Sequence, residues 1–112
     1  MYKTHKGGLY MYTRITMQTA KSMLDADPSI VVIDVRTQDE FDSGHIPGAI
    51  SIPYEEIANK APKMIGNREA KIFVNCSSGF RSRIASLTLI KMGYTNVFDI
   101  GSIREWRYSL AR

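Results

Sequence analysis

Cysteine occurs once in this 112-residue chain, in the segment Cys76-Ser77-Ser78-Gly79-Phe80-Arg81-Ser82-Arg83. A lone thiol forms no internal disulfide, and with only His5 and His45 beside it in composition it cannot head a cysteine-rich zinc site. It is either a small buried apolar residue or a reagent. Its position favours the reagent. The apolar run Lys71-Ile72-Phe73-Val74-Asn75 reads as a strand, and a helix is expected from Arg81 to Met92, so the cysteine falls at the C-terminal end of a strand, where open α/β sheets bind ligands. A short loop returning into a helix start turns backbone N–H groups inward, and Gly79 removes the side chain that would obstruct the turn. Those donors and the Arg81 guanidinium favour the thiolate, and they would hold an anionic substrate opposite the sulfur. Cys76 is therefore the candidate nucleophile, Ser77, Ser78, Gly79, Phe80 and Arg81 the candidate substrate-binding residues, and Ser82 and Arg83 their support.

The elements that must position this loop follow from the punctuation of the chain. Thr16 caps a helix running to Ala26, ended by Asp27-Pro28. Ile30 to Val35 is a nearly continuous β-branched run, suited to a strand covered on both faces. Thr37-Gln38-Asp39-Glu40 is a capping-box pattern that opens a short helix carrying Phe41 and stopping near Gly44. His45-Ile46-Pro47-Gly48 is a turn, Ala49 to Ile52 a second strand, Tyr54 to Ala61 a short helix, and Pro62 to Gly66 a further helical turn. Gly93 stops the helix after the loop, and Asn96 to Ile100 is a fourth strand. Ser102-Ile103-Arg104-Glu105 offers a second capping box for a last helix carrying Trp106 and Leu110. Strands alternating with helices, without hairpin turns, imply parallel pairing through right-handed crossovers: a small α/β domain with helices on both faces of the sheet.

Composition and charge bound the function. The length suits one domain, and 44% hydrophobic with 23% charged residues excludes disordered and low-complexity classes. No apolar run is long enough for a membrane span and no secretory signal is visible, so a cytoplasmic protein is expected. The net charge of +4 is unevenly spread. Residues 1–14 carry +3 and read as an N-terminal extension, mobile or serving as a partner-docking arm, with the domain proper at 15–112. Residues 15–75 are net acidic and residues 76–112 net basic. Without a dense basic stripe interleaved with aromatics, a small anionic ligand is expected in preference to nucleic acid.

These segments together resemble a single-domain rhodanese, the sulfurtransferase family. Ile33-Asp34-Val35-Arg36, Glu40-Phe41, Gly44-His45-Ile46-Pro47-Gly48-Ala49 and Ile52-Pro53 are similar to its first signature, and Cys76 to Ser82 to its active-site loop. Gly93-Tyr94, Asn96-Val97, Gly101, Ile103 and Trp106 are similar to its C-terminal signature. The resemblance implies a rhodanese-like three-layer fold. It also implies that Cys76 takes the outer sulfur of a donor such as thiosulfate, holds it as a persulfide stabilised by the loop backbone, and passes it to a thiophilic acceptor or a sulfur-relay protein. Arg81 would attract the donor, and no metal or organic cofactor is required. Four residues between Cys76 and Arg81 match the rhodanese loop, whereas related cysteine phosphatases have five; a phosphatase or arsenate reductase is thus the weaker alternative, beside a carrier or protein-binding module with little turnover. Asp34, Arg36, Glu40 and His45 are structural in this reading, with Arg36 and Glu40 an ion pair between strand and helix. Two positions depart from the family pattern. Ser77 stands where a basic residue is common, which weakens the case for thiosulfate as the natural donor, and Ser102 replaces the second glycine before the last helix, where it can still cap. Asn75-Cys76-Ser77 matches a glycosylation acceptor pattern but falls in a core strand.

Overall fold

A computed structural model describes residues 2–4 and 11–112 of the chain, with side chains from residue 12 onward. The elements in order are β1 (Tyr2–Thr4), β2 (Met11–Arg14), α1 (Met17–Ala26), β3 (Val31–Asp34), α2 (Gln38–Ser43), β4 (Ile50–Ser51), a 3-10 turn (Tyr54–Glu56), α3 (Ile57–Met64), β5 (Lys71–Cys76), α4 (Phe80–Lys91), β6 (Asn96–Ser102) and a second 3-10 turn (Ile103–Glu105). They build one sheet in the order β1-β2-β6-β5-β3-β4. All neighbours pair in parallel except β1, which lies antiparallel to β2. The central strand β5 therefore carries Cys76 at its C-terminal end.

Alternation along the strands divides the core into two layers. Ile33 and Val35 with Val74 and Cys76 face Ile57 and Ala61 of α3 and Ala85 and Leu89 of α4. Val32, Phe73 and Ile100 face the other way, against Met17 and Ala20 of α1 and Trp106. Each fully buried Ile, Leu or Phe contributes about 1.5–3 kcal/mol. Sequence and structure agree on the caps that frame these layers: Thr16 Oγ1 accepts from Thr19 N, and Thr37 and Glu40 form both halves of the capping box. At the end of α4, Gly93 takes φ +99° while Gly93 N and Tyr94 N donate to Ile90 O and Leu89 O, which closes the helix on its left-handed residue.

Three boundaries differ from the sequence expectations. Met11–Arg14 is bonded into the sheet beside β6, so the sheet begins before residue 15; the expectations for residue 1 and for residues 5–10 lie outside the described residues. The helix after β4 runs through Pro62 to Met64 instead of restarting there. The last helix does not form. Ser102 Oγ accepts from Arg104 N, but Glu105 lies beside Arg107, and only a single 3-10 turn results. The chain then extends to bring Ala111 alongside His45, each donating its N–H to the other's carbonyl, a path a helix through Leu110 would not allow. Among the described residues no helix is long and apolar enough to cross a membrane.

Candidate active site

The sheet register bends where the loop begins. Asp99 lies opposite Val74, but Gly101 lies opposite Asn75, so Ile100 is an extra residue in β6 and a bulge results. Gly101 adopts φ +83° at this point. The bulge sets Cys76 opposite Ser102 and points Asp99 beneath the start of α4.

Cys76 ends β5 with no solvent exposure. Its Sγ accepts the Gly79 N–H at 2.9 Å. Gly79 is the N-cap of α4 at φ +94°, a left-handed conformation that β-carbon-bearing residues rarely adopt, and no side chain caps the helix there. The sulfur thus receives an N–H at the open N-terminus of a twelve-residue helix, where the helix dipole favours negative charge.

The loop is anchored by residues far away in sequence. Ser82, buried in the first turn of α4, has its hydroxyl 2.8 Å from Asp99 Oδ1 and 3.2 Å from Gly79 O. Asp99, also fully buried, accepts in addition from Gly101 N at 3.0 Å and from Arg14 Nη1 at 3.1 Å. The Ser102 hydroxyl donates to the Ser77 carbonyl. On the other side Arg81 makes a two-pronged pair with Glu40, Nη1 to Oε1 at 2.9 Å and Nη2 to Oε2 at 3.1 Å. The Arg81 hydrogen bond lowers the Glu40 carboxyl from its ordinary value to about 2; burial opposes it, and the hydrogen bonds involving Thr37 add smaller lowering effects. Glu40 in turn raises the Arg81 guanidinium against a smaller opposing effect of burial, so the pair holds both groups charged at the start of α4.

This arrangement corrects one expected pair. Arg36 does not meet Glu40. Its guanidinium instead grips Asp34, with Nη2 to Oδ2 at 2.7 Å and Nε to both carboxylate oxygens, and also donates to Gly44 O. Both members are buried, so this ion pair fastens the end of β3 to the Gly44 turn, while Glu40 is left to turn toward α4. His45 is held by Phe41, stacked on its ring at 3.8 Å with Nδ1 2.9 Å from Phe41 O. Ser78 is exposed, Phe80 is 56% exposed, and the Arg83 guanidinium lies 5.8 Å from the Phe80 ring, so an aromatic and a cation flank the loop at the surface. Asn75 is fully buried, which removes it as a glycosylation acceptor, and its side-chain amide has no hydrogen-bond partner.

Sequence reasoning missed Asp99 and Arg14 as members of the site and took Ser102 only for a cap. A cap motif was the signal at Ser102; nothing in the spacing linked Asp99 to Ser82 or Arg14 to Asp99.

The comparisons with known proteins agree with this geometry. The rhodanese-like domain family matches residues 16–109. A Bacillus subtilis protein named "Putative sulfur carrier protein YrkF" is 33% identical over 93 residues, 82% of this chain and 49% of that protein. The chain therefore spans about half of that relative's length. The thiosulfate sulfurtransferase PspE of Escherichia coli is 32% identical over 73 residues, covering 65% of this chain and 70% of PspE. A solved structure described as rhodanese with anions from E. coli superposes with a TM-score of 0.70 at 28% identity, over 73% of this chain and 96% of that one. A C-x4-R loop between a central parallel strand and its helix, on a chain that this family matches over nearly all of its length, leaves one assignment: the chain belongs to the rhodanese family.

Proposed function

We propose that the chain is a sulfurtransferase that carries sulfane sulfur on Cys76. The observation that supports this most is the Gly79 N–H donated to Cys76 Sγ at the N-terminus of α4. It is the donor that a thiolate, or the terminal sulfur of a persulfide, would use there. In the first step the Cys76 thiolate attacks the outer sulfur of thiosulfate; the S–S bond of the donor breaks, sulfite leaves with the bonding pair, and a Cys76 persulfide anion remains. With an organic persulfide as donor, the outer sulfur and its proton pass to Cys76 and the organic thiolate leaves. In the second step a thiophilic acceptor attacks the outer sulfur and the Cys76 thiolate is released. Ser77 to Arg81 surround the sulfur in this scheme, and Arg81 supplies positive potential for an anionic donor. Because Glu40 already takes both of its terminal nitrogens, Arg81 contributes attraction more than direct grip.

The burial of Cys76 supports a second use of the same chemistry. A sulfur covered by its own loop suits a carrier that waits for a relay partner, in line with the name of the Bacillus relative. The test is an intact mass after incubation with thiosulfate. A gain of one sulfur atom, removed by cyanide and absent in Cys76→Ser, is expected. A full adduct with slow cyanide turnover selects the carrier. No adduct, together with hydrolysis of an aryl phosphate, would overturn sulfur transfer altogether.

A further inference from the structure

The loop opens on its β6 side into a groove of about 590 Å³ walled by Arg14, Gln18, Ser78, Gly79, Arg107 and the acidic Glu105, among others. Cavities of this volume take organic ligands of moderate size, and thiosulfate would occupy only a small part of it. Arg14 is built into the wall. Its Nη1 is anchored by Asp99, which has no exposure, while its own side chain remains 47% exposed. Gly101 makes room for it: a β-carbon at that position would lie 2.8 Å from Arg14 Nη2. The groove thus meets the guanidinium and not the carboxylate beneath it. Arg107 is 78% exposed, and its contact with Glu105, at 3.7 Å in solvent, binds it weakly. Thr16, the N-cap of α1, and Gln18 in its first turn, which holds no acidic residue, belong to the same wall.

We propose that this groove is a subsite for the carboxylate-bearing part of a small organic thiol or persulfide whose sulfur reaches Cys76 past Ser78 and Gly79, with Arg14 as the fixed anion ligand and Arg107 as the exposed one. A carboxylate fits better than a phosphate. Asp99 offsets Arg14 and Glu105 offsets Arg107, so the groove presents guanidinium donors without an excess of positive charge, which suits a singly charged group over a doubly charged one. The inference rests on sulfur transfer at Cys76 for its role, but binding in the groove does not require it.

Two measurements separate the groove from the sulfur chemistry. The full chain carrying Cys76→Ser is titrated with S-methylglutathione, which has carboxylates and no free thiol, and amide shifts are followed. Shifts at Thr16, Gln18, Ser78 and Gly79 are expected, with binding weakened about threefold by adding Arg107→Ala, the loss of one exposed ion pair. Arg14→Lys, which keeps a cation on Asp99 but loses the planar fork, should weaken it as well. In the chain with Cys76 intact, sulfur loading is compared between glutathione persulfide and thiosulfate, and the ratio of the two kcat/KM values should fall about threefold in Arg107→Ala. Unmoved groove amides, or equal losses for both donors, would overturn the subsite. Groove binding without any sulfur loading would leave the subsite standing and remove the sulfurtransferase.

Discussion

The Cys76 loop is fastened on two sides, and the fastenings are of different kinds. Toward β6 the anchor is buried: Asp99 collects Ser82, Gly101 N and Arg14, and Ser102 donates to the Ser77 carbonyl. Toward α2 it is the Arg81–Glu40 pair, whose side chains are 22% and 36% exposed. A buried carboxylate stripped of its donors has no water to turn to, so its loss is expensive. A partly exposed pair that separates is solvated, so its loss is cheap. The β6 side therefore determines where the loop backbone lies and much of what it costs to move it. The α2 side contributes little to stability and mainly sets the charge beside the sulfur.

The largest effect that would test this contrast is expected from Asp99→Ala. It leaves Gly101 N without its acceptor, Ser82 with only the longer contact to Gly79 O and Arg14 without its carboxylate, and should destabilise the fold by about 3 kcal/mol, read as a lower urea midpoint at unchanged slope. A loss below that from Glu40→Ala would be needed to keep the comparison; the reverse order would break it. Gly101→Ala comes next. Its β-carbon would press on Arg14 Nη2 at 2.8 Å, and the φ of +83° strains any side chain, for a cost of about 2 kcal/mol. Ser82→Ala should cost about 1 kcal/mol, since Asp99 keeps Gly101 N and Arg14. Its more telling readout is sulfur loading of Cys76, which should slow because Ser82 no longer ties Gly79 to the strand.

How much of this was legible in the chain depended on distance in sequence. Thr37 and Glu40 are three residues apart and formed the expected capping box; Gly93 ended α4 as a left-handed stop; the run from Ile30 gave a strand. Cys76 was found because its strand, glycine and arginine are contiguous. Partners brought together only by the sheet were invisible. Glu40 lies 41 residues from Arg81 and Arg14 lies 85 from Asp99, and Arg36, next to Glu40 on paper, was the wrong choice because the backbone at Asp34 and Gly44 offered it a closer grip. Ser102 and Glu105 show the same limit from the other direction. Their spacing repeats that of Thr37 and Glu40, yet the Ser102 hydroxyl is committed to the loop and the chain beyond must return to His45, so the same local signal yields one 3-10 turn. Residues 11–14 looked like part of a tail because a four-residue strand carries no recognisable period; only the edge of β6 gives it a place.

The smallest expected effect on stability, and the sharpest test of what the α2 side does, comes from Glu40→Gln. Glutamine at this helix position can still return to the Thr37 N–H, so the capping box survives and only the charge opposite Arg81 is lost. At pH 7 the variant should be less stable by under about 1 kcal/mol, as expected of a partly exposed pair. Its pH dependence distinguishes it further. The folded Glu40 carboxyl sits at about 2, below its ordinary value of 4.5, so the pair contributes above 4.5 and its contribution is lost as pH falls from there toward 2. Wild type and Glu40→Gln should therefore differ in urea midpoint at pH 6 and converge as pH approaches 2. A gap that stays constant across that range would mean that Glu40 acts through packing and not through its charge on Arg81, and the assignment of distinct roles to the two sides would fail.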